Sequence, residues 1–191
     1  MRPDLVWYFG YGSLMWNPGI AHEAFEPARL EGWSRALCVY SNHYRGTAAR
    51  PGLVLGLLRG GGCAGRAIGV APEREAEVTA YLDGRELLGS YVYERARLPV
   101  RLVAQDVTVG GWCYVACEQH GDFAGRLPEA TVLRHVRQGH GLAGSCADYV
   151  RNTVAHLQAM GIAEPELERI VAALEVEEPG LSPPTPGRAA P

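Results

Sequence analysis

Patterns typical of β-strands fill the first two thirds of this 191-residue chain, whereas helical patterns dominate the last third. A regular alternation of strands and helices would predict βαβ units and a parallel sheet. The segregation found here instead predicts an α+β fold, in which a small mixed β-barrel or strongly curved sheet is flanked by helices. A chain of this length is expected to bury one hydrophobic core, because two full domains would need more residues.

Short apolar runs separated by glycine and proline predict the strands. Residues 5–9 form a continuous apolar run that Gly10 ends, which is typical of a fully buried strand. The triplet Gly60-Gly61-Gly62 predicts the turn of a hairpin. The other runs that predict strands are residues 33–40, 53–58, 67–70, 91–103 and 107–116.

Helix starts are marked by proline or by capping residues. Pro72, followed by two acids, predicts a helix that Gly84 ends. Three more helices are predicted to start at Pro128, Ser145 and Pro165. The proline-rich residues 179–191 have too little apolar surface for a core, so we expect one folded domain over residues 1–178 and a disordered tail.

The charge and hydropathy patterns disfavour nucleic-acid and membrane partners. The formal net charge is -3 and the arginines are scattered, which is unlike the basic patch of a nucleic-acid-binding surface. The longest early apolar run, residues 5–9, is far shorter than a membrane span and lacks the features of a signal peptide. We therefore expect a cytoplasmic protein.

The cysteines indicate a reducing compartment and no metal site. Their number is five, which is odd and does not suggest a disulfide framework. Cys113 and Cys117 lie near His120, but a zinc site would need a second pair of ligands at comparable spacing. We expect both cysteines to lie on one face of a strand as small buried side chains.

A loop with the sequence Gly10-Tyr11-Gly12-Ser13-Leu14 directly follows the first predicted strand. Glycine lets the backbone approach a ligand closely, and such a loop can aim several N–H groups at an oxyanion or carboxylate. The sequence lacks the third glycine of a dinucleotide fingerprint and the Gly-Lys-Ser/Thr of a phosphate-binding loop. Spacing alone leaves two interpretations open, a ligand-binding loop and a tight turn.

Glu86 is the candidate general base. It belongs to Asp83-Gly84-Arg85-Glu86-Leu87, just past the predicted helix end. Adjacent charges of this kind often form only a surface ion pair, and we expect Asp83 to pair with Arg85. Apolar and aromatic neighbours would instead exclude water from the Glu86 carboxylate and raise its pKa, which suits a base.

These motifs occur in an order that resembles the ChaC-like, glutathione-specific γ-glutamylcyclotransferases. The order is Gly-Tyr-Gly-Ser-Leu at 10–14, then Ser41 with Arg45-Gly46 and Pro51-Gly52, then Tyr-Leu-Asp-x-Arg-Glu at 81–86 followed by Gly89 and Tyr91, and finally the glycine-rich residues 139–144 before Asp148-Tyr149. The resemblance covers residues 5–174. Each motif alone is weak, but together in this order they are specific.

The resemblance implies a catalytic domain that cleaves glutathione to 5-oxoproline and cysteinylglycine. The γ-glutamyl amine attacks its own side-chain carbonyl, and the family's catalytic glutamate matches Glu86. Neither a metal nor a cofactor is expected, because the substrate carries its own nucleophile. The family's substrate-binding residues match Gly10, Tyr11, Gly12, Ser13, Leu14, Met15 and Tyr149.

Two segments depart from the family pattern. Leu-Leu-Gly-Ser-Tyr follows Glu86 where some members have Lys-Gly-Gly-Tyr, and Cys146-Ala147-Asp148-Tyr149 stands where Asn-Thr-Glu-Tyr is usual. These departures bear on the acceptor end of the expected pocket. Other γ-glutamyl amino acids or amines are therefore alternative substrates.

Arg45 and Tyr149 have two interpretations each. The Arg45 guanidinium suits a substrate carboxylate, but it equally suits backbone carbonyls that anchor a loop. Tyr149 lies near the start of a predicted helix, where it either contacts an anion or forms the edge of the core.

Two further functional classes compete with a cyclotransferase. A non-catalytic small-ligand-binding module on the same fold is disfavoured by Glu86, because a binder of an anionic peptide gains little from a carboxylate in its pocket. A thiol oxidoreductase or glutathione transferase is disfavoured because the chain has no Cys-x-x-Cys motif.

Overall fold

The structure is a computed structural model that describes residues 4–87 and 92–176. The strands are β1 (Val6–Gly10), β2 (Ala24–Ser41), β3 (Gly52–Val70), β4 (Tyr93–Leu102), β5 (Val107–Ala116), β6 (His140–Gly141) and β7 (Gly144–Ser145). The helices are α1 (Glu75–Glu86), α2 (Glu129–Gln138), α3 (Cys146–Ala159) and α4 (Pro165–Glu175). Short 3₁₀ turns cover Ser13–Met15 and Pro72–Arg74.

Strands β1 to β5 form a closed mixed barrel in the order β1-β3-β2-β4-β5. All pairings are antiparallel except that of β1 with β5, which closes the barrel in parallel. Closure leaves these strands without a free sheet edge. The predicted α+β fold with a small mixed barrel and flanking helices is confirmed.

The hairpin predicted at Gly60-Gly61-Gly62 is wrong. These glycines lie inside β3, which continues along β2 to Val70. Gly60 and Gly61 adopt φ angles of 98° and 74°, and the register shifts there against Gly32 of β2. Positive φ at glycine permits a bulge in a continuous strand, and a bulge increases its bend and twist. The glycines thus curve the long β2–β3 ribbon around the barrel.

Helix α1 also differs from its prediction, because it passes through Gly84 and ends at Glu86. The Leu87 N–H closes the last turn on the Asp83 carbonyl at 2.9 Å. The Asp83 carboxylate in turn accepts from Arg95 at 2.6 Å and from the Tyr114 hydroxyl at 2.7 Å. These contacts with β4 and β5 hold the last turn and offset the helix-weakening effect of a glycine. Glu86 is therefore the last helical residue.

Helices α2, α3 and α4 pack together against one side of the barrel. Val136, Val150, Leu157, Leu167 and Ile170 are buried in one cluster with side chains of β2 and β3. The predicted start of α3 is confirmed, since the Ser145 Oγ accepts from the Asp148 N–H at 3.0 Å. This packing places the start of α3 beside the barrel end that holds the candidate site.

The cysteines behave as side chains of the core, with one exception. Cys113 is fully buried in β5. Cys117 lies past the end of that strand and is partly exposed, so the expectation that both are buried on one strand face is wrong for Cys117. Within 4–87 and 92–176, no three or more His, Cys, Asp or Glu side chains gather as a metal site would require.

No helix in the described part of the chain is long and apolar enough to cross a membrane. The predicted disordered tail, the boundary at residue 178, and Gly89 and Tyr91 of the family motif all lie outside the described residues.

Candidate active site

A cavity of about 370 Å³ lies between the end of β1, the end of α1 and the start of α3. Its volume is at the small end of the range for ligand pockets, which suits a short peptide or metabolite. The cavity wall contains every predicted site residue except Gly10 and Met15. These wall residues are Tyr11, Gly12, Ser13, Leu14, Arg45, Glu86 and Tyr149.

Gly10 and Met15 flank the loop and are not among the residues that line the cavity, so their predicted contact with substrate stays a prediction. Gly10 is the last residue of β1 and lies opposite Arg66 of β3. The Met15 side chain is buried in the core under the helices, and its N–H donates to the Gly12 carbonyl at 2.9 Å.

The loop of Tyr11, Gly12, Ser13 and Leu14 forms part of the cavity wall. Gly12 precedes the 3₁₀ turn Ser13–Met15. The N–H groups of Gly12, Ser13 and Leu14 donate to no atom among the described residues. Unpaired donors beside a cavity are suited to an oxyanion or carboxylate.

Arg35 of β2 holds this loop through a buried guanidinium. Its Nε donates to the Tyr11 carbonyl at 2.5 Å and its Nη2 to the Ala64 carbonyl at 2.6 Å. The same guanidinium forms an ion pair with Glu164, the residue before α4. The Arg35 side chain is fully buried, so it links the loop, the barrel and the helical layer.

Glu86 reaches the cavity from the last turn of α1. Its side chain is 23% exposed. Burial raises the pKa of its carboxyl, while the Arg85 guanidinium, with Nε 3.4 Å from Oε1, opposes the rise. A carboxylate whose pKa is raised in this way is better matched to removing a proton near neutral pH than an exposed one.

Arg85 has different partners from those predicted. Besides Glu86, its Nη2 donates to the Ser13 Oγ at 2.7 Å and its Nη1 to the Asn17 carbonyl at 2.8 Å. The expected Asp83–Arg85 pair is wrong, because Asp83 pairs with Arg95 across the helix–barrel contact. Helical spacing explains this: side chains two positions apart, such as those of Asp83 and Arg85, point to different sides of a helix.

Both interpretations of Arg45 have support in its surroundings. Its Nη1 donates to the Ala143 carbonyl in the β6–β7 turn, which is the loop-anchoring contact. Its guanidinium also lies over the Tyr149 ring, with 5.2 Å from Cζ to the ring centroid, and forms part of the cavity wall. The Tyr149 hydroxyl accepts from the Leu55 N–H at 3.2 Å, so the ring that supports Arg45 is itself fixed to β3.

Tyrosine rings enclose the carboxylate of Glu86, and the sequence analysis did not find all of them. Tyr93 of β4 donates its hydroxyl to the Leu55 carbonyl at 2.6 Å and lines the cavity. Burial raises the pKa values of Tyr11 and Tyr93 well above the usual range and that of Tyr149 to about 12. The rings are therefore neutral hydroxyl donors at physiological pH. The sequence predicted the strand that contains Tyr93 but not its place at this cavity.

Close backbone contacts hold the Arg45 loop in place. A side chain on Gly52 would overlap the Arg45 carbonyl, and one on Gly141 would overlap the His43 carbonyl. The turn beyond Gly141 donates the Leu142 and Ala143 N–H groups to the His43 and Tyr44 carbonyls, both at 2.9 Å. Glycine is needed here because the backbones touch where a Cβ would be.

We expect Gly52→Ala to weaken the candidate site. The added methyl group displaces the Arg45 backbone and should lower the free energy of unfolding by about 1–3 kcal/mol, as overpacking usually does. Gly121→Ala is the matched control, because a Cβ at Gly121 meets nothing within 4 Å. Urea unfolding of both variants checks this. Equal stability of the two would mean that the contact around Gly52 is not restrictive.

Comparisons with known proteins agree with the fold and with these motifs. A family model described as ChaC-like protein matches residues 6–177. The chain is 28% identical to the glutathione-specific γ-glutamylcyclotransferase of Escherichia coli K12, over 91% of this chain and 75% of that protein. It is 32% identical to glutathione-specific γ-glutamylcyclotransferase 1 of Rattus norvegicus, over 90% of this chain and 79% of that protein.

A solved structure shares the architecture. The crystal structure of a yeast γ-glutamylcyclotransferase specific to glutathione superposes with a TM-score of 0.79, covering 90% of this chain and 96% of that one at 20% sequence identity. At that identity the match shows the fold. Together with the family model that spans residues 6–177, it confirms the resemblance: the chain belongs to the ChaC-like protein family.

Proposed function

We propose that this protein is a glutathione-specific γ-glutamylcyclotransferase, a lyase that converts glutathione to 5-oxoproline and cysteinylglycine. One observation carries the proposal beyond family membership. Glu86, with its partly buried carboxylate, lines the same cavity as Gly12, Ser13 and Leu14, whose N–H groups have no partner among residues 4–87 and 92–176. That is the pairing of a base with anion-binding donors that ring closure of a γ-glutamyl group needs.

In the proposed first step, Glu86 removes a proton from the α-ammonium of the γ-glutamyl group. An α-amino group is mostly protonated at neutral pH and cannot attack in that form. The raised pKa of Glu86 brings the carboxylate closer in basicity to the amine, which favours the transfer. The amine nitrogen then bonds to the γ-carbonyl carbon and closes a five-membered lactam.

The loop donors bind negative charge on the substrate. The N–H groups of Gly12, Ser13 and Leu14 hold either the α-carboxylate or the oxyanion that forms on the γ-carbonyl. In the first case they fix the amine near its target carbon, and in the second they stabilise the tetrahedral intermediate. Either contact lowers the barrier to ring closure.

The last step breaks the bond between the γ-carbonyl carbon and the cysteine nitrogen. The protonated Glu86 returns its proton to that nitrogen, so cysteinylglycine leaves as an amine and 5-oxoproline remains. After bonding to carbon, the attacking nitrogen loses a second proton to the regenerated Glu86 carboxylate. Glu86 passes this proton to the released amine, which becomes the ammonium group of cysteinylglycine, and no water is consumed. Because the nucleophile belongs to the substrate, none of the cysteines needs a covalent role.

Arg45 and Tyr149, which also line the cavity, are proposed to bind the substrate. The guanidinium of Arg45 is suited to a substrate carboxylate, and the Tyr149 ring beneath it keeps it in the cavity. The chain's five free cysteines fit a reducing compartment, so we expect this reaction in the cytoplasm.

The direct test is incubation of the purified protein with glutathione and detection of both products by mass spectrometry. We expect equal amounts of 5-oxoproline and cysteinylglycine. Parallel reactions with γ-glutamyl-alanine and a γ-glutamylamine test the specificity, and we expect glutathione to give the highest kcat/KM. Higher values for the other substrates would reassign the specificity, and no 5-oxoproline from any of them would refute the proposed function.

A further inference from the structure

One guanidinium connects the two halves of the candidate site. Arg85 precedes Glu86, and its side chain turns back from the end of α1 toward the loop. It contacts the Glu86 carboxylate, the Ser13 hydroxyl and the Asn17 carbonyl, at 3.4, 2.7 and 2.8 Å. Asn17 itself closes the turn after the loop, since its N–H donates to the Ser13 carbonyl at 2.8 Å.

We propose that Arg85 is a positioning residue, which holds the Glu86 carboxylate at a fixed distance and direction from the donors of the Gly12, Ser13 and Leu14 loop. The inference rests on the proposed lyase activity and adds a role for a residue that neither the motif nor the base assignment supplies. Arg85 acts on the reaction through Glu86 and Ser13.

The planar fork of arginine explains why one residue can make all three contacts. Its Nε and two Nη atoms point in different directions within one plane, so carboxylate, hydroxyl and carbonyl are held at the same time. The Arg85 side chain is 24% exposed, and Glu86 is similarly shielded at 23%. A partly shielded contact is less weakened by water and salt than an exposed pair.

The position of Glu86 relative to the loop matters because both must contact one substrate molecule at the same time. Glu86 must reach the substrate amine while the loop holds an oxygen of the same molecule. A misplacement by about 1 Å can cost about 100-fold in rate. Glu86 is the last residue of α1, and helix ends fray. A contact that ties Glu86 to the loop therefore limits the movement of its carboxylate.

Arg85 is also the nearest positive charge to the Glu86 carboxylate. It opposes the rise in pKa that burial causes. The other titratable groups of the residues that line this cavity are the guanidinium of Arg45 and the tyrosine hydroxyls of Tyr11, Tyr44, Tyr93, Tyr114 and Tyr149. His43 and Asp122 share an adjoining cavity with Glu86. Removal of Arg85 should therefore shift the acidic limb of the rate profile to higher pH.

Two substitutions separate the charge of Arg85 from its geometry. Arg85→Lys keeps a positive charge but has no fork, so it cannot hold Ser13, Asn17 and Glu86 together. Arg85→Met removes both. The matched control is Arg74→Met, because Arg74 also joins the α1 region to the segment after the loop, through Glu77 at 3.1 Å and the Ala21 carbonyl at 3.2 Å, but does not line the cavity.

The experiment measures kcat and KM against pH for the wild type and these variants, together with ¹³C NMR titration of Glu86 in the free protein. For Arg85→Met we expect kcat to fall about 10- to 100-fold with the acidic limb at higher pH. Arg85→Lys should lower kcat with a limb close to that of the wild type. Arg74→Met should leave both unchanged.

The outcomes separate the inference from the proposed function. If Arg85→Met keeps the kcat and the acidic limb of the wild type, the positioning role is refuted while the lyase activity stands. If the wild type makes no 5-oxoproline, the proposed function fails, and the NMR titration still decides whether Arg85 controls the protonation of Glu86. If Glu86 titrates at the same pH in Arg85→Met as in the wild type, Arg85 does not control the protonation of Glu86.

Discussion

Glu86→Gln is expected to abolish 5-oxoproline formation while the protein still folds and still binds glutathione. Glutamine has nearly the same shape as glutamate but cannot accept a proton from the substrate ammonium. Loss of a general base typically costs about 10²- to 10⁴-fold in rate. We expect a fall in kcat within or beyond this range and a much smaller change in the affinity for glutathione.

The pH dependence of stability gives an independent check on this variant. Burial raises the pKa of Glu86 in the folded protein above its unfolded value. The folded state then binds more protons, so this group's contribution to stability is lost as pH rises through the folded pKa. Glu86→Gln has no carboxyl at this position and does not lose stability in this way as pH rises. We therefore expect its free energy of unfolding to equal or exceed that of the wild type at pH 8.

A control on the barrel surface separates this effect from a general loss of charge. Glu94 lies on β4 with an exposed side chain, and Glu94→Gln should retain full activity. Isothermal titration calorimetry with glutathione and a product assay test both variants. Full activity of Glu86→Gln would end the general-base assignment, whatever its stability.

The sequence was sufficient to predict the architecture because the main signals are local. The early strands are short apolar runs, and the late helices have proline or serine starts. The structure has a strand over each apolar run and a helix at each late start, but β2 begins earlier than predicted, at Ala24, and β3 joins two predicted runs into one strand. The hairpin turn predicted at Gly60-Gly61-Gly62 was wrong because a glycine triplet permits a hairpin turn and a bulge equally well. The long pairing of β3 with β2 decides between them, and no short window of sequence contains it.

The parts of the candidate site that lie within one short sequence motif could be predicted. The loop at Tyr11, Gly12, Ser13 and Leu14 and the base candidate Glu86 each stand in a recognisable local motif, and the fold brings them to one cavity. Met15 belongs to the same local motif but faces the core, because the 3₁₀ turn rotates successive side chains away from one another.

The residues that the sequence analysis missed act across the fold. Tyr93 reaches the cavity only because the closed barrel brings the start of β4 close to β3, although these strands do not pair. Its hydroxyl donates to the Leu55 carbonyl there. Arg35 stands alone in an apolar segment, and its acid partner Glu164 is 129 residues away in the chain. Spacing rules for helices and strands do not extend over such separations.

Arg35→Met is expected to be strongly destabilising, although Arg35 does not line the cavity. The substitution leaves Glu164 as a shielded carboxylate without its cation and removes the donors to the Tyr11 and Ala64 carbonyls. Breaking one partner of a buried ion pair typically costs about 3–5 kcal/mol. We expect a loss of that size in the free energy of unfolding, and a raised KM for glutathione in the folded fraction because the Tyr11 carbonyl loses its anchor.

Arg126→Met is the matched control for this loss. Arg126 also links the barrel to α4, with its Nη1 3.3 Å from Glu166 and its Nη2 3.2 Å from the Ser34 hydroxyl, but the side chains of the Arg126–Glu166 pair are 58% and 61% exposed. Exposed pairs contribute about 0–1 kcal/mol, so Arg126→Met should unfold close to the wild type in urea. Equal losses in Arg35→Met and Arg126→Met would show that burial of the Arg35 pair adds nothing to stability.

The pH dependence of Arg35→Met identifies the orphaned carboxylate as the cause. Burial already raises the pKa of Glu164 in the folded wild type, and the Arg35 guanidinium opposes the rise. Without Arg35 the folded pKa rises further, so the folded state takes up a proton more readily than the unfolded chain. Stability from this source is present at low pH and lost as pH rises through the folded pKa.

The deficit in the free energy of unfolding of Arg35→Met relative to the wild type should therefore shrink as pH falls. It should shrink less in Arg35→Met/Glu164→Gln, where no carboxylate titrates at position 164. A pH-independent deficit in the single variant would assign the loss to the missing carbonyl contacts and not to Glu164.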